Sequence, residues 1–344
     1  MSNPNALSGP RASARESSGP RAWSYEEAFS RNLGLVTPEE QQKLRRSTVA
    51  IPGMGGVGGI HLMTLVRQGV GRFRIADVDT FEVANSNRQY GAEIDTLGRV
   101  KAEVMAEKAR AVNPEVILDV LPEPIGARNV GRFLEGVDVV LDGIDFFSFD
   151  VRRVLFREAQ ERGIWAITAG PIGFSTAWLV FDPRGMRFDD YFDFHDGMAP
   201  LDQFAAFAMG LAPRGTHFSY IDLSYVDRRT ARGPSSCLAC NLAAAVAAVE
   251  TIKILLGRKT LRPVPHYAQF DAYRGLLRQG RLLWGNRGPL QRLKTVHPPP
   301  MDDRIWLCAH VRGCKVPACI AMPPGRNHQE NEQALRGEGL PVGR

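Results

Sequence analysis

Cysteine is scarce in this chain, with five residues in a sequence of 344. So few cysteines in so long a chain exclude the disulfide framework of a small secreted protein. The first twenty residues are rich in Ser, Pro and Arg and lack the apolar core of a signal peptide. We therefore expect a cytoplasmic protein whose thiols are reduced.

The sequence also lacks a long apolar run without charges. Its most apolar stretch, Leu238 to Leu256, is interrupted by Asn241, Glu250 and Lys253, which favours a buried helix over a membrane span. Charged residues make up 23% of the chain and the net charge is +6. A basic stretch over 274–294 is interpreted as solvated surface, with an acidic protein partner as the alternative. We predict neither a nucleic-acid nor a membrane partner.

Both ends of the chain lack apolar periodicity. Residues 1–22 are rich in Ser, Pro, Gly and Arg, and we predict a disordered tail there. Periodicity is lost again over 298–344, which we interpret as a second tail of low order. The remaining residues, 23–297, are predicted to form one domain that carries an insert at about 182–233.

Within that domain, short apolar segments alternate with segments of helical spacing. Such alternation predicts a Rossmann-like, doubly wound α/β fold with a mostly parallel sheet, helices on both faces and an irregular insert. A strong helix start is predicted at Thr37, which precedes Pro38 and two acidic residues. The predicted strands cover residues 48–51, 73–78, 116–121, 137–142, 165–170, 176–181 and 266–272.

A glycine-rich turn follows the first predicted strand and precedes a predicted helix. Its glycines are Gly53, Gly55, Gly56 and Gly58. Glycines at this spacing allow a tight turn, close approach to phosphate oxygens and close packing of helix on sheet, with the phosphates at the helix N-terminus. Asp77 and Asp79 end the next strand, where a carboxylate can hold ribose hydroxyls. The pattern predicts a nucleotide site but fits NAD and ATP equally well.

Four further polar residues distinguish these two ligands. Asn85, Arg88, Lys101 and Asp145 all follow predicted strands and should lie at the same edge of the sheet as the glycine turn. Arg88 and Lys101 can face a triphosphate, and Asp145 can hold Mg²⁺. Phosphoryl or nucleotidyl transfer requires such neutralisation of charge, whereas NAD chemistry does not. Singly, these residues also fit a loop salt bridge, a solvated helix residue and a helix N-cap.

With these motifs in this order, the chain from about Tyr25 to Ala272 resembles the ThiF/MoeB adenylyltransferases, relatives of the ubiquitin-activating enzymes. The resemblance rests on segments 53–59, 77–79, 85–89, 98–101 and 141–145, supported by 30–34 upstream and 249–253 downstream.

The resemblance implies ATP and Mg²⁺ as ligands and adenylation of a carboxylate as the reaction. Asp77 would bind the ribose, Asn85 and Arg88 the phosphates, while Lys101 would neutralise their charge and Asp145 would hold Mg²⁺. Arg31 would reach the triphosphate of a neighbouring subunit, which implies a homodimer. The expected substrate is the C-terminus of a ubiquitin-like or sulfur-carrier protein, with a small carboxylate or a peptide as alternatives.

The sequence departs from the family pattern at its cysteines. Many members hold zinc with two Cys-x-x-Cys pairs, but only the pair Cys237 and Cys240 is present here, so zinc is not expected. The other cysteines, Cys308, Cys314 and Cys319, are irregularly spaced. Cys237 is the candidate for a thioester because a helix N-terminus lowers a thiol pKa, and a packed, inert thiol is the alternative.

Two histidines and an acidic cluster complete the candidates. His217 and His266 are predicted to be structural. The cluster is interpreted as an acidic loop that shapes the substrate pocket, with a second metal site as the alternative; it comprises Asp189, Asp190, Asp193, His195 and Asp196. Two other functions stay open: an NAD(P)-dependent oxidoreductase, which the glycine turn and Asp77 favour, and a nucleotide-binding module without turnover.

Overall fold

A computed structural model describes residues 22–226, 233–289 and 291–292 of the chain. Almost all of the two predicted tails, 1–22 and 298–344, lies outside the described residues, and so do Cys308, Cys314 and Cys319.

One sheet of eight strands spans the molecule in the order β3-β2-β1-β4-β5-β6-β7-β8. The first five strands in this order are parallel and the other three are joined antiparallel. The mostly parallel α/β sheet predicted from the sequence is therefore confirmed. The strands are β1 (Thr48–Pro52), β2 (Arg72–Ala76), β3 (Ile117–Leu121), β4 (Val139–Asp142), β5 (Trp165–Ile172), β6 (Ser175–Phe181), β7 (His266–Asp271) and β8 (Leu276–Arg281).

Helices connect and cover these strands. The α-helices are α1 (Tyr25–Ala28), α2 (Pro38–Arg46), α3 (Gly58–Arg67), α4 (Lys101–Val112), α5 (Val130–Phe133), α6 (Phe149–Glu161), α7 (Phe188–Phe192), α8 (Pro200–Leu211) and α9 (Cys237–Leu255). Short 3₁₀ helices cover Ser30–Asn32, Val83–Asn85, Thr216–Ser219, Leu223–Tyr225 and Gly285–Arg287.

Alternating side chains of the central strands build a hydrophobic core on each face of the sheet. Val49 and Ile51 of β1 point into the core formed with α3, α4 and α9. Ala50, between them, belongs to the opposite core, where α5, α6, α7 and α8 pack. Because successive strand residues point to opposite faces, a strand buried on both sides needs an unbroken apolar run. This is the pattern that β1 and β4 show.

Two helix starts illustrate how the sequence sets the element boundaries. Thr37 caps α2 as predicted: its hydroxyl accepts from the Glu40 amide at 3.2 Å, and the Glu40 carboxylate accepts from the Thr37 amide at 3.0 Å. Ser236 caps α9, accepting from the Ala239 amide at 3.2 Å. These contacts satisfy amides that the first helical turn leaves without partners.

Helix α9 is long and apolar enough to cross a membrane by length and composition alone, with a mean hydropathy of 1.7 over an 18-residue window. Half of it is buried inside the protein, where it packs against α3, β5 and β6. Ala243 and Ala247 are fully buried in that contact. The packing agrees with the buried helix expected over 238–256.

Two regions hold more regular structure than their sequences suggest. The expected irregular insert contains α7 and α8, and the phenylalanines that dominate its sequence build much of one core. Strand β8 was not predicted, because its residues Leu276–Arg281 are mostly exposed and carry polar and basic side chains. As an edge strand, β8 needs only one partner and no continuous apolar face.

Candidate functional site

A cavity of about 1110 Å³ opens at the carboxyl ends of the parallel strands. Open α/β sheets bind ligands at this edge, where the strand order reverses. Here the reversal lies between β1 and β4. Nine of the predicted site residues line the cavity: Gly53, Gly55, Gly56, Asp77, Asp79, Asn85, Arg88, Lys101 and Asp145.

The glycine turn is packed too closely for side chains at two of its positions. Gly53 has a φ of +88°, and an added Cβ would overlap the carbonyl oxygen of Gly143. An added Cβ at Gly58 would overlap the Gly53 carbonyl oxygen, so Gly58 serves the packing of α3 and not the wall of the cavity. The turn is thereby held against the loop that follows β4.

Asp77 fastens the same turn to the end of β2. Its carboxylate accepts from the Met54 amide at 2.6 Å and from the Asp79 amide at 2.9 Å. Burial raises the pKa of the Asp77 carboxyl above its usual value, and these two hydrogen bonds partly oppose that rise. Asp77 therefore shapes the turn as well as lining the cavity.

Lys101 places a largely buried positive charge in the cavity wall. Its ammonium lies 3.1 Å from the Asp79 carboxylate, and its side chain is 10% exposed whereas that of Asp79 is 71% exposed. The Lys101 amide donates to the Asp79 carbonyl at 2.8 Å, which fixes the start of α4 beside the end of β2. An ammonium sheltered in this way has a stronger effect on a nearby anion than one in open solvent.

Arg88 brings a second positive charge to the glycine turn. Its aliphatic stem lies next to Gly56, while its guanidinium donates to the Ala84 carbonyl at 3.1 Å and to the Asn87 side chain at 2.9 Å. Asn85 accepts from the Glu82 amide at 3.0 Å and so caps the short helix Val83–Asn85, which ends three residues before Arg88. Residues 85–88 thus stabilise their own turn and also place a positive charge beside the glycine turn.

Gln89 belongs to the same segment and was given no role in the sequence analysis. Its side chain is buried beside Gly55 and lines the cavity. Its Oε1 has no hydrogen-bond partner among the described residues. Because a buried polar atom without a partner is costly, it points to a ligand or water at this position.

Asp145 lies across the cavity in the loop after β4. It is exposed, and one carboxylate oxygen accepts from the Phe147 amide at 3.0 Å. The other oxygen faces no hydrogen-bond donor in the part of the chain that the structure describes. The N-cap residue of the next helix, α6, is Ser148, so the alternative prediction that Asp145 caps this helix is wrong, and one of its carboxylate oxygens stays available to a ligand.

A buried ion pair holds the Asp145 loop in place. Arg152 of α6 donates to the Asp142 carboxylate at 2.7 Å, and both side chains are 3% exposed or less. The same guanidinium donates to the carbonyls of Ile144 at 2.8 Å and Asp145 at 3.1 Å. Arg152 was not predicted as a site residue, because an arginine ten residues after a strand carries no local signal of such a contact.

Aromatic side chains line the part of the cavity next to Asp145. Phe146 packs edge-on against Phe204 and Phe207, with ring centroids 5.6 and 5.2 Å apart. Phe147 stacks on Phe204 at 5.5 Å and an interplanar angle of 11°. All four rings line the cavity, and no sequence motif had indicated them.

His217 contributes a buried imidazole to the cavity wall. Burial lowers its pKa to about 4, so the ring is neutral at pH 7. Its Nδ1 has no partner among the described residues. His266, in contrast, contacts the Pro263 carbonyl through Nδ1 at 3.0 Å and does not belong to the described cavity lining.

The two cysteines of α9 differ in position. Cys240 is buried against Gly56 and lines the cavity, and burial raises its pKa to about 11. Cys237, the candidate for a thioester, is only partly buried and accepts from the Asn241 amide group at 3.4 Å. It is not among the described residues of the cavity wall. A thioester at Cys237 therefore stays a prediction.

The acidic cluster is paired with arginines. Asp189 contacts Arg153 and Arg157 at 3.0 Å, and Arg287 contacts Asp190 at 3.3 Å and Asp193 at 2.9 Å. No group of three or more His, Cys, Asp or Glu suited to a metal occurs within 22–226, 233–289 and 291–292. The pairing is typical of a structural network at the edge of the insert.

Arg31 lies on the exposed surface, in the 3₁₀ helix Ser30–Asn32. It is not among the described residues that line the cavity of its own chain. The predicted contact with a neighbouring subunit therefore depends on an assembly and stays a prediction.

With this geometry established, comparison with known proteins identifies the family. The model of the ThiF family matches residues 29–284, about three quarters of the chain. The chain belongs to the ThiF family. The matched range contains every described residue of the cavity wall.

Two curated relatives show how far sequence similarity extends. The tRNA threonylcarbamoyladenosine dehydratase of Haemophilus influenzae is 33% identical over 167 residues, covering 48% of this chain and 61% of that protein. The sulfur carrier protein adenylyltransferase of Thermus thermophilus is 35% identical over 129 residues, covering 36% and 48%. The chain thus spans about half of the length of the curated relatives it matches.

Solved structures confirm the fold. The E. coli MccB structure with ATP has a TM-score of 0.56 at 19% identity, covering 74% of this chain and 71% of that one. The E. coli dehydratase TcdA in complex with ATP has a TM-score of 0.51 at 21% identity, covering 68% and 95%. At such identities the likeness concerns the fold alone.

Proposed function

We propose that this ThiF-family chain uses ATP to adenylate a carboxylate. The observation that carries the proposal is the convergence of Arg88, Lys101 and Asp145 on one cavity at the glycine turn. A transferred nucleotidyl group needs cations near its phosphates and an anion that can hold a divalent metal. Two solved structures of the same fold have ATP bound, which supports the choice of nucleotide.

The reaction forms one bond and breaks one bond. A carboxylate oxygen attacks the α-phosphorus of ATP and forms a new P–O bond. The bond between the α-phosphorus and the bridging oxygen breaks, and pyrophosphate leaves with the electron pair. The step requires no general base, because the carboxylate is already ionised at pH 7. The protein contributes orientation and stabilisation of charge.

Each cavity residue has a role consistent with its position. Asp77 and Asp79 lie at the end of β2, on the ribose side of the glycine turn. Arg88 lies beside Gly56, next to the turn whose amides would meet the phosphates. Lys101 would turn from Asp79 toward the phosphates when ATP binds, since its 3.1 Å pair with that exposed carboxylate is readily exchanged.

Asp145 fits a magnesium site of the kind that nucleotides complete. Mg²⁺ commonly takes one or two protein carboxylates, with phosphates and waters filling the remaining positions. A single exposed carboxylate facing the cavity matches this mode. When bound, the ion would neutralise charge on the reacting phosphates.

The carboxylate substrate that we favour is the C-terminus of a protein or peptide. The names of relatives include a sulfur carrier protein adenylyltransferase and a ubiquitin-like modifier-activating enzyme, and a structure of the same fold contains the peptide MccA. These names support a protein or peptide C-terminus as substrate. Other relatives are tRNA-modifying dehydratases, so the absence of a nucleic-acid partner stays a prediction.

A homodimer is part of the proposal. Helix α9 presents apolar side chains to solvent at helical spacing, with Leu238 61% and Val249 55% exposed. Apolar stripes of this kind mark protein–protein contacts. A second copy is the favoured occupant, because Arg31 lacks a cavity contact in its own chain and would gain one across a dimer.

The proposed reaction is tested by exchange of labelled pyrophosphate into ATP in the presence of candidate carboxylates. Lys101→Met should lower the exchange rate about 100-fold or more, as loss of one group that stabilises transition-state charge commonly does. Lys108→Met is the matched control: Lys108 lies on the same helix but pairs with Glu93 at 2.7 Å, away from the described cavity wall.

Two outcomes would contradict the proposal. One is an exchange rate that Lys101→Met and Lys108→Met lower equally. The other is Mg-ATP binding without exchange for protein C-termini, peptides and small acids alike, which would favour the nucleotide-binding module without turnover.

A further inference from the structure

The cavity has two chemically different halves. The half around the glycine turn is polar and carries the cations Arg88 and Lys101. The other half begins next to Asp145, and we name its aromatic lining the phenylalanine wall: Phe146, Phe147, Phe204 and Phe207.

The wall is packed into the core on the side that meets the protein. Phe207 is buried in the core that α8 forms with the sheet, and the Arg152 guanidinium lies 4.7 Å from the centre of its ring. Phe146 bridges to it at a centroid distance of 5.2 Å. Ring pairs at these distances hold one another in defined orientations.

The phenylalanine wall leaves apolar surface uncovered on the side that meets the cavity. Phe147 and Phe204 are only half-buried, although their rings stack face to face. Apolar surface that remains wet inside a concave site is a recurrent mark of ligand binding. The two rings therefore offer an apolar platform toward the cavity interior.

The strand order places this platform on the acyl side of the site. Asp77 follows β2, the glycine turn follows β1, and Asp145 follows β4, so the three lie in that order across the sheet. Phe146 and Phe147 come directly after Asp145. A nucleotide with its ribose toward Asp77 and its phosphates at the turn leaves the wall to the group that receives the adenylate.

The size of the cavity agrees with two occupants. Its volume of about 1110 Å³ exceeds the range of roughly 300–1,000 Å³ in which single small-ligand pockets usually fall. The lining beyond the glycine turn includes the four rings and His217, whose imidazole is neutral at pH 7. It also includes Asp202, which would repel an acidic substituent, and Arg152, whose charge is paired with Asp142.

We propose that the phenylalanine wall selects a carboxylate whose neighbouring substituent is a bulky apolar group, such as an acid ending in an aromatic or branched aliphatic residue. The inference rests on the proposed adenylation and narrows its substrate class. A C-terminal glycine would leave the rings exposed, whereas a phenyl group would cover them. Removing one large apolar side chain from water changes affinity by about 10- to 100-fold.

The test compares three small acids that differ beside the carboxylate: N-acetyl-L-phenylalanine, N-acetyl-glycylglycine and N-acetyl-L-aspartate. Binding to the full chain is measured calorimetrically in the presence of AMP, and each acid is also tested for exchange of pyrophosphate into ATP. We expect N-acetyl-L-phenylalanine to bind at least tenfold more tightly than the other two acids.

Phe204→Ser should remove most of that preference and leave AMP binding unchanged, because Phe204 lies on the acyl side of the cavity. Leu277→Ser is the matched control, since Leu277 is an exposed apolar residue on β8, outside the described cavity wall. Leu277→Ser should leave the affinities for N-acetyl-L-phenylalanine and for AMP as they are in the wild type.

The outcomes separate this inference from the proposed reaction. Equal affinity for all three acids, or a preference that Phe204→Ser does not reduce, would overturn the role of the wall. Binding of N-acetyl-L-phenylalanine, with no pyrophosphate exchange for this acid, for peptides or for protein C-termini, would instead refute adenylation and leave the apolar acyl pocket in place.

Discussion

Arg152→Met should destabilise the fold more than any surface charge substitution. The change removes the guanidinium that lies 2.7 Å from the Asp142 carboxylate, at a place where both side chains are 3% exposed or less. It also leaves the Ile144 and Asp145 carbonyls without their donor. Breaking a buried pair by removing one partner costs about 3–5 kcal/mol, because the other charge stays buried and uncompensated.

The assay is urea denaturation of the full chain, with the free energy of unfolding taken from the midpoint and the slope. Arg162→Met is the control, since Arg162 pairs with Glu158 at 2.7 Å with side chains 41% and 27% exposed. A surface pair of this kind contributes about 0–1 kcal/mol. The difference between the two variants measures the effect of burial on an ion pair.

A double variant separates the pair from the loop. Asp142→Leu combined with Arg152→Met removes both charges, and it should recover part of the stability lost in Arg152→Met alone. A loss below about 1 kcal/mol in Arg152→Met, or no recovery in the double variant, would refute the assigned role of this pair.

Three further predictions follow from single positions. Gly53→Ala should weaken Mg-ATP binding at least tenfold in calorimetry, because its Cβ would overlap a backbone carbonyl. Gly98→Ala is the control: Gly98 has a φ of +82° but open space around its Cβ, so this change should only lower stability by about 1–2 kcal/mol. Equal losses of Mg-ATP affinity in the two variants would contradict this prediction. Burial lowers the pKa of His217 from 6.5 to about 4. Between pH 6.5 and pH 4 the unfolded chain therefore binds a proton at this residue that the folded chain does not bind. The free energy of unfolding consequently decreases as the pH falls. The His217→Gln variant should therefore lose about 3 kcal/mol less free energy of unfolding than the wild type between pH 7 and pH 4, as measured by urea denaturation. An equal loss in the variant and the wild type would contradict the assignment. Val249→Lys on the exposed face of α9 should convert a dimer to a monomer in light scattering, and an unchanged mass would place the subunit contact elsewhere.

The parts of the site that the sequence predicted are those whose function depends on backbone geometry. Glycines at Gly53 and Gly58 are required by close packing, and Lys101 begins a helix at a strand end. These requirements appear as short motifs at fixed spacing, so a single sequence reveals them. The same holds for the central strands β1 and β4, which need unbroken apolar runs because both of their faces are covered.

The parts that escaped prediction depend on contacts between distant segments. The pair of Arg152 with Asp142 joins a helix to a strand end, and the stacking of Phe147 on Phe204 joins two segments 57 positions apart. Neither residue type is unusual in its local sequence. Strand β8 was not predicted for a local reason: an edge strand with one exposed face lacks a strong apolar pattern.

The central claim is that the cavity binds Mg-ATP and not a nicotinamide cofactor. Isothermal titration of the wild type and of Asp145→Ala with Mg-ATP and, separately, with NAD⁺ and NADH tests it most directly. The account predicts that Mg-ATP binds the wild type, that Asp145→Ala weakens this binding, and that neither nicotinamide cofactor binds. Binding of NAD⁺ or NADH without binding of Mg-ATP would contradict the account and assign the glycine turn to a dinucleotide.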